Sequence, residues 1–212
     1  MGAAGGQSAA VPARRVRAMI ANDAARPQPP PMTVAEFLAW EEAQESRWEF
    51  DGFSPVAMTG GTEAHEFIKN NLIAALNAKL RGTPCRAYGS DLKIKVADRI
   101  RYPDAFVVCA PMVHRGTVRD DPMVVFEVLS PSTARIDRVE KMHEYWATPS
   151  IQRYVLIEQD AVSAMAFTRG EESWSGRVLW PGSVLALPEL GIELPLDELY
   201  DGLDPAALRE PR

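Results

Sequence analysis

Two short valine-rich runs, Ala105–Cys109 and Met123–Leu129, constrain the fold of this chain more than any other feature. Each is far too short to span a membrane, and both read as strands of a covered sheet. Each run carries one carboxylate where the apolar pattern makes a charge costly. Asp104 follows Pro103 at the start of the first run, and Glu127 lies between Phe126 and Val128 in the second. A carboxylate among strand-core residues costs several kcal/mol unless it is protonated, paired or metal-bound. Neighbouring strands lie about 4.8 Å apart, so Asp104 and Glu127 can share one divalent ion. Mg2+, with Mn2+ as a substitute, suits such hard oxygen donors. The residues alone leave another reading open, with Asp104 as a strand-start turn residue and Glu127 facing solvent.

Around this stretch the chain reads as an arm (1–31), a domain (32–203) and a tail (204–212). The arm is rich in Ala, Gly, Pro and Arg without apolar periodicity, and is expected to be disordered. It has no continuous apolar segment of the secretory kind, which points to a cytoplasmic location and no membrane partner. Cys85 and Cys109 lack metal-ligand spacing and read as two reduced thiols. A net charge of −6 argues against a protein that coats nucleic acid, though not against a local basic groove.

Within the domain, Thr33 and Glu36 have capping-box spacing ahead of a helix to about Glu45. Trp48–Phe53 and Pro55–Met58 form a hairpin around Asp51–Gly52. Thr62 caps a long helix to about Leu80, with Ile68, Leu72, Ala75, Leu76 and Leu80 buried. Leu92–Val96 alternates as a half-buried strand, and Ala97–Ile100 turns into a strand over Tyr102–Cys109. After Met123–Leu129 a helix begins at Ser132 or Thr133, with Val139, Met142 or His143, and Trp146 inward. Ile151–Ile157 and Val162–Phe167 are further strands, followed by short strand pieces beyond Gly170.

Two upstream residues are candidates to complete the site. Glu49 is a third acidic ligand or a surface glutamate. His65, in the first turn of the long helix, is an acid, base or phosphate contact, or a structural histidine. Lys93, Lys95 and Arg101, in a basic cluster with Arg86, Arg99, Arg115 and Arg119, are candidate phosphate contacts. Interleaved aspartates also permit a solvated mixed-charge face.

Tyr102-Pro103-Asp104, Glu127-Val128-Leu129-Ser130-Pro131-Ser132-Thr133, Asp137-Arg138 with Lys141 and Tyr145, and Gly89-Ser90-Asp91-Leu92 together resemble the Uma-type restriction endonuclease family. That family lies within the PD-(D/E)XK nuclease superfamily, and the resemblance covers about Thr33 to Leu203. It implies an α/β, restriction-endonuclease-like core: an αβββαβ mixed sheet flanked by helices, with short additional β segments at both ends. The implied chemistry is divalent-metal-dependent endonucleolytic hydrolysis of DNA phosphodiester bonds, with DNA as partner and a homodimer as an open assembly. One departure stands out, because Leu129 occupies the superfamily's lysine position. Lys141 on the following helix is the candidate replacement; its other reading is a surface pair with Asp137. Leu129 also keeps open a non-catalytic nucleic-acid- or protein-binding module on the same fold. A hydrolase of a small phosphoester is a third reading.

Overall fold

The computed structural model describes residues 31–58, 60–130, 136–204 and 208. The expected arm up to residue 30, most of the expected tail, and the cap candidates Ser132 and Thr133 lie outside the described residues. Helix α1 (Val34–Glu41) starts where the capping box places it. Glu36 accepts the Thr33 N–H at 2.7 Å, and the Thr33 hydroxyl accepts the Glu36 N–H. Strands β1 (Trp48–Phe50) and β2 (Pro55–Ala57) form the expected antiparallel hairpin, shortened because the turn takes residues 51–54. Asp51 Oδ1 accepts the N–H groups of Phe53 and Ser54, and Gly52 takes the positive φ of 93° that the turn requires.

Helix α2 (Glu63–Lys79) is capped by Thr62, whose hydroxyl accepts the His65 N–H. It buries Ile68, Leu72 and Leu76, one stripe at helical spacing. The next elements are β3 (Arg86–Gly89), β4 (Lys93–Val96), β5 (Arg99–Arg101) and β6 (Ala105–Val108). The strand expected over Tyr102–Cys109 starts only at Ala105, and the expected turn Ala97–Ile100 already contains the start of β5. Pro103 has no N–H to give to a ladder, and around it the chain leaves one sheet for another. β5 pairs with β4 and β1, whereas β6 pairs with β3 and with β8 (Val124–Leu129).

A π-helix (Ile136–Lys141) runs into α3 (Met142–Ala147) and leads to β9 (Arg153–Glu158). Strands β10 (Ala164–Arg169) and β11 (Trp174–Leu179) extend the main sheet to the order β11-β10-β9-β8-β6-β3. Only β8 and β9 in it run parallel, as a crossover through a helix allows. α2, β3, β6, β8, α3 and β9 thus supply the αβββαβ core. The insertion β4–β5, with β1, β2 and the short β7 (Val118–Arg119), forms a second sheet that α1 covers through Phe37, Phe50 and Ile100. Hairpin β12 (Val184–Leu187) and β13 (Ile192–Pro195) and a 3-10 turn (Leu196–Tyr200) close over α2, where Asn71 donates to Leu199 and Asp201 carbonyls.

β8 is buried along its whole length. Val124, Phe126 and Val128 pack on the α2 side, and Val125 and Leu129 pack with Tyr145 and Tyr154 on the α3 side. Two expectations fail here. Cys85 and Cys109 are joined in a disulfide, because the antiparallel β3–β6 register pairs Arg86 with Val108 and sets the flanking cysteines opposite one another. The helix after β8 also turns inward differently. Asp137, Lys141, Glu144 and Tyr145 are buried, while Val139 is 49% exposed and His143 is exposed. The wider i→i+5 turns shift the helical phase, and the buried charges satisfy one another. Among the described residues, no helix is long and apolar enough to cross a membrane.

Candidate active site

Strand alternation brings Asp104 and Glu127 to one face of the main sheet. Glu127 belongs to the α3-side set of β8 with Val125 and Leu129. Ala105 pairs with Phe126, so Asp104, one position before β6, falls opposite Glu127 and shares the face of Phe106 and Val108. All five residues expected to make up the acidic site and its helpers (Glu49, His65, Asp104, Glu127 and Lys141) line one cavity of about 230 Å3.

Each is held by identifiable contacts. Asp104 Oδ2 accepts the Val128 N–H at 2.8 Å and lies 3.1 Å from His65 Nε2. Lys141 Nζ donates to Glu127 Oε1 at 2.9 Å, and the Tyr145 hydroxyl donates to the same oxygen at 3.0 Å. Lys141 Nζ also lies 3.5 Å from Glu49 Oε1 and 3.1 Å from Asp137 Oδ1. Glu49 accepts from the Tyr102 N–H and from Arg101, each at 3.0 Å. The hairpin therefore delivers Glu49, α2 delivers His65, the two central strands deliver Asp104 and Glu127, and the π-turn delivers Lys141.

Burial disfavours an ionised Glu127 and pushes its pKa well up. Lys141 counters this, while Asp137, Asp104 and Glu49 add to it as negative neighbours. Burial also opposes the Lys141 ammonium, yet Glu127, Glu49 and Asp137 together outweigh that and hold its pKa well above the usual lysine range. Burial likewise works against a charged His65, but the hydrogen bond and charge of Asp104 raise its pKa overall. For Glu49 the desolvation is outweighed by Lys141 and Arg101, and its pKa is lowered.

The donor set suits a hard divalent cation. Among the described residues, four carboxylates, Glu49, Asp104, Glu127 and Asp137, line the cavity with the ammonium of Lys141. Among the described residues no three His, Cys, Asp or Glu side chains are already gathered as a ligand shell. Two carboxylates completed by water is the coordination that Mg2+ commonly takes.

Two of the expected phosphate contacts are placed elsewhere. Lys93 is buried against Glu41 with its ammonium over the Tyr102 ring, and Arg101, 2% exposed, grips Glu144 through two nitrogens at 2.6 and 2.7 Å. Both lie where the second sheet is covered, so neither presents its charge to a backbone phosphate. Lys95 is exposed on β4. Asp137, in one reading a surface partner of Lys141, is instead buried: its carboxylate faces Lys141, and its Oδ1 has no aligned hydrogen bond. The i,i+4 spacing to Lys141 was visible, but not its burial. Gly61 also shapes the site. A Cβ there would stand 2.7 Å from His65 Nδ1, so the bare backbone makes room for the imidazole.

An αβββαβ core with paired carboxylates at the junction of its two central strands defines a restriction-endonuclease-like α/β protein. The profile of the Uma2 family, described as "Putative restriction endonuclease", matches residues 34–197, and the chain belongs to that family. The "Uncharacterized protein slr1290" of Synechocystis sp. is 32% identical over 189 residues, 87% of this chain and 99% of that protein. A second protein of that organism, "Uncharacterized protein sll1609", is 26% identical over 149 residues, 68% of this chain and 84% of its own. The fold is shared with a crystal structure from Anabaena variabilis, titled as "a putative nuclease belonging to DUF820". It has a TM-score of 0.67 at 19% identity and covers 80% of this chain and 98% of that one.

Proposed function

We propose that this chain is a divalent-metal-dependent endonuclease that hydrolyses DNA phosphodiester bonds. The observation that carries this reading is the meeting of Asp104, Glu127 and Lys141 at one cavity, although Leu129 fills the superfamily's usual lysine position. Asp104 and Glu127 would hold the ion, Mg2+ or Mn2+. When bound, it would supply Lewis-acid polarisation of the phosphate and lower the pKa of a bound water.

The protein's own groups supply the rest. Lys141, anchored by Glu127 with Glu49 and Asp137 close by, presents a fixed positive charge to the phosphate oxygens as water attacks phosphorus and the bond to the leaving oxygen breaks. His65, bonded to Asp104 through Nε2, fixes that carboxylate and places a positive charge beside it when protonated. Tyr145 and the Val128 N–H fix the two carboxylates. The test is plasmid and oligonucleotide cleavage with magnesium or manganese, run beside the Asp104→Ala protein. Metal-dependent cleavage lost in that variant is the expected result. Cleavage of no DNA across a range of metals and salt overturns the enzyme and favours the binding module.

A further inference from the structure

A second cleft, of about 590 Å3, continues from the active-site cavity and shares Met58, Gly60, Gly61, His65 and Asp104 with it. Each of its walls carries one cation. Lys69 stands one helical turn beyond His65 on α2, 2.7 Å from Glu66 Oε1 and 3.5 Å from Ser90 Oγ. Arg47, just before β1, pairs across the cleft with Asp91, in the turn between β3 and β4. The acidic partner of each pair is open to water, with the Asp91 side chain 85% and the Glu66 side chain 48% exposed. The Arg47–Asp91 pair, exposed on both sides, is weak; the Lys69 side chain is only 13% exposed, but its Glu66 partner is open to water. A phosphate diester is a better partner for both cations, since an arginine fork matches its oxygens and a lysine serves it as a point charge. The amino end of α2 opens towards the same space, and its dipole favours an anion there.

Resting on the nuclease reading above, we propose that this cleft holds the backbone phosphate next to the scissile one on the same DNA strand. Arg47 and Lys69 are its ligands. Glu66 and Asp91 are the counter-ions that release them when the strand arrives. Arg47 and Lys69 lie outside the acidic cluster, so they act on binding and not on the chemical step. The carboxylates give the arrangement a directional signature: removing either should strengthen DNA binding, because the cation it occupies becomes available.

The experiment is fluorescence anisotropy of a short fluorescein-labelled DNA strand with the full chain, across a salt series and without added divalent metal. Arg47→Ala and Lys69→Met should each weaken binding roughly tenfold and reduce the salt slope by about 0.7 per lost phosphate contact. Asp91→Asn and Glu66→Gln should tighten binding, whereas purely structural salt bridges would give a lower melting temperature and no gain in affinity. In cleavage assays with metal, Arg47→Ala should raise KM and leave kcat near wild type. Unchanged affinity and salt slope in both Arg47→Ala and Lys69→Met overturn the cleft assignment, whatever the cleavage result. Absence of cleavage by the wild type overturns the nuclease reading, and the binding measurements still decide the cleft.

Discussion

A methyl group at position 61 would collide with the His65 ring, which makes Gly61→Ala a test of His65 that leaves the histidine in place. The expected outcome is a roughly tenfold fall in kcat, the low end of what disturbing the hydrogen-bond partner of a metal-ligating carboxylate costs, with the melting temperature little changed. Steady-state kinetics beside a thermal melt checks it. Lys141 carries more weight, since it touches Glu127 and neighbours Glu49 and Asp137. Lys141→Met should lower cleavage about 100-fold or more, the usual effect of losing one electrostatic contact to a developing charge. It should also destabilise by about 3–5 kcal/mol, because the buried carboxylates of Glu127 and Asp137 lose their counter-charge. Adding Leu129→Lys separates the two effects. Leu129 packs on the same sheet face as Glu127, so a lysine there should restore cleavage in part. Asp137→Asn, harmless if the pair lay on the surface, should instead cost roughly tenfold in kcat at unchanged KM, because the pair is buried and sets the ammonium.

At the scale of elements, the π-turn and α3 do what the apolar pattern did not foretell. Instead of an apolar stripe, they send Asp137, Lys141, Glu144 and Tyr145 inward. Glu144 receives Arg101 in a two-point grip, and Arg101 in turn holds Glu49, whose other oxygen faces Lys141. Burial opposes the Arg101 charge, but Glu144 and Glu49 raise its pKa nonetheless, so it stays a cation. The chain of contacts thus ties α3, β5 and β1 to Lys141. Glu144→Gln breaks it at a buried charge. The expected loss is about 3 kcal/mol, or roughly 6–12 °C in Tm for a domain of this size, measured by calorimetry. A fall of under about 2 °C would show that the network contributes little.

At the scale of the molecule, the site forms where two sheets meet. The chain crosses between them at Pro103, leaving Asp104 at the lip of the main sheet and bringing Glu49 from the other. Ligand binding at such a junction should stabilise the whole domain. With magnesium at about 100 times its dissociation constant, mass action adds about 2.7 kcal/mol, a rise of roughly 5–11 °C. Asp104→Asn should lose most of that rise. A wild-type melting temperature indifferent to magnesium and manganese would remove the proposed cofactor.

The αβββαβ order came with the family resemblance; the sequence alone marked the caps at Thr33 and Thr62 and one carboxylate, Asp104 or Glu127, in each of two apolar runs. These follow from local signals: capping spacing, period-two alternation, and carboxylates set in apolar runs. Glu49, His65 and Lys141 were legible as candidates, but not their convergence. Only the tertiary structure decided that Lys93 and Arg101 are buried, that Asp137 faces the site, and that Cys85 meets Cys109. The disulfide rests on the β3–β6 register; the other two share a physical reason. Alternation tells which side of a strand a residue occupies, not what covers that side, and a charged residue reads as exposed until an opposite charge distant in sequence is packed against it.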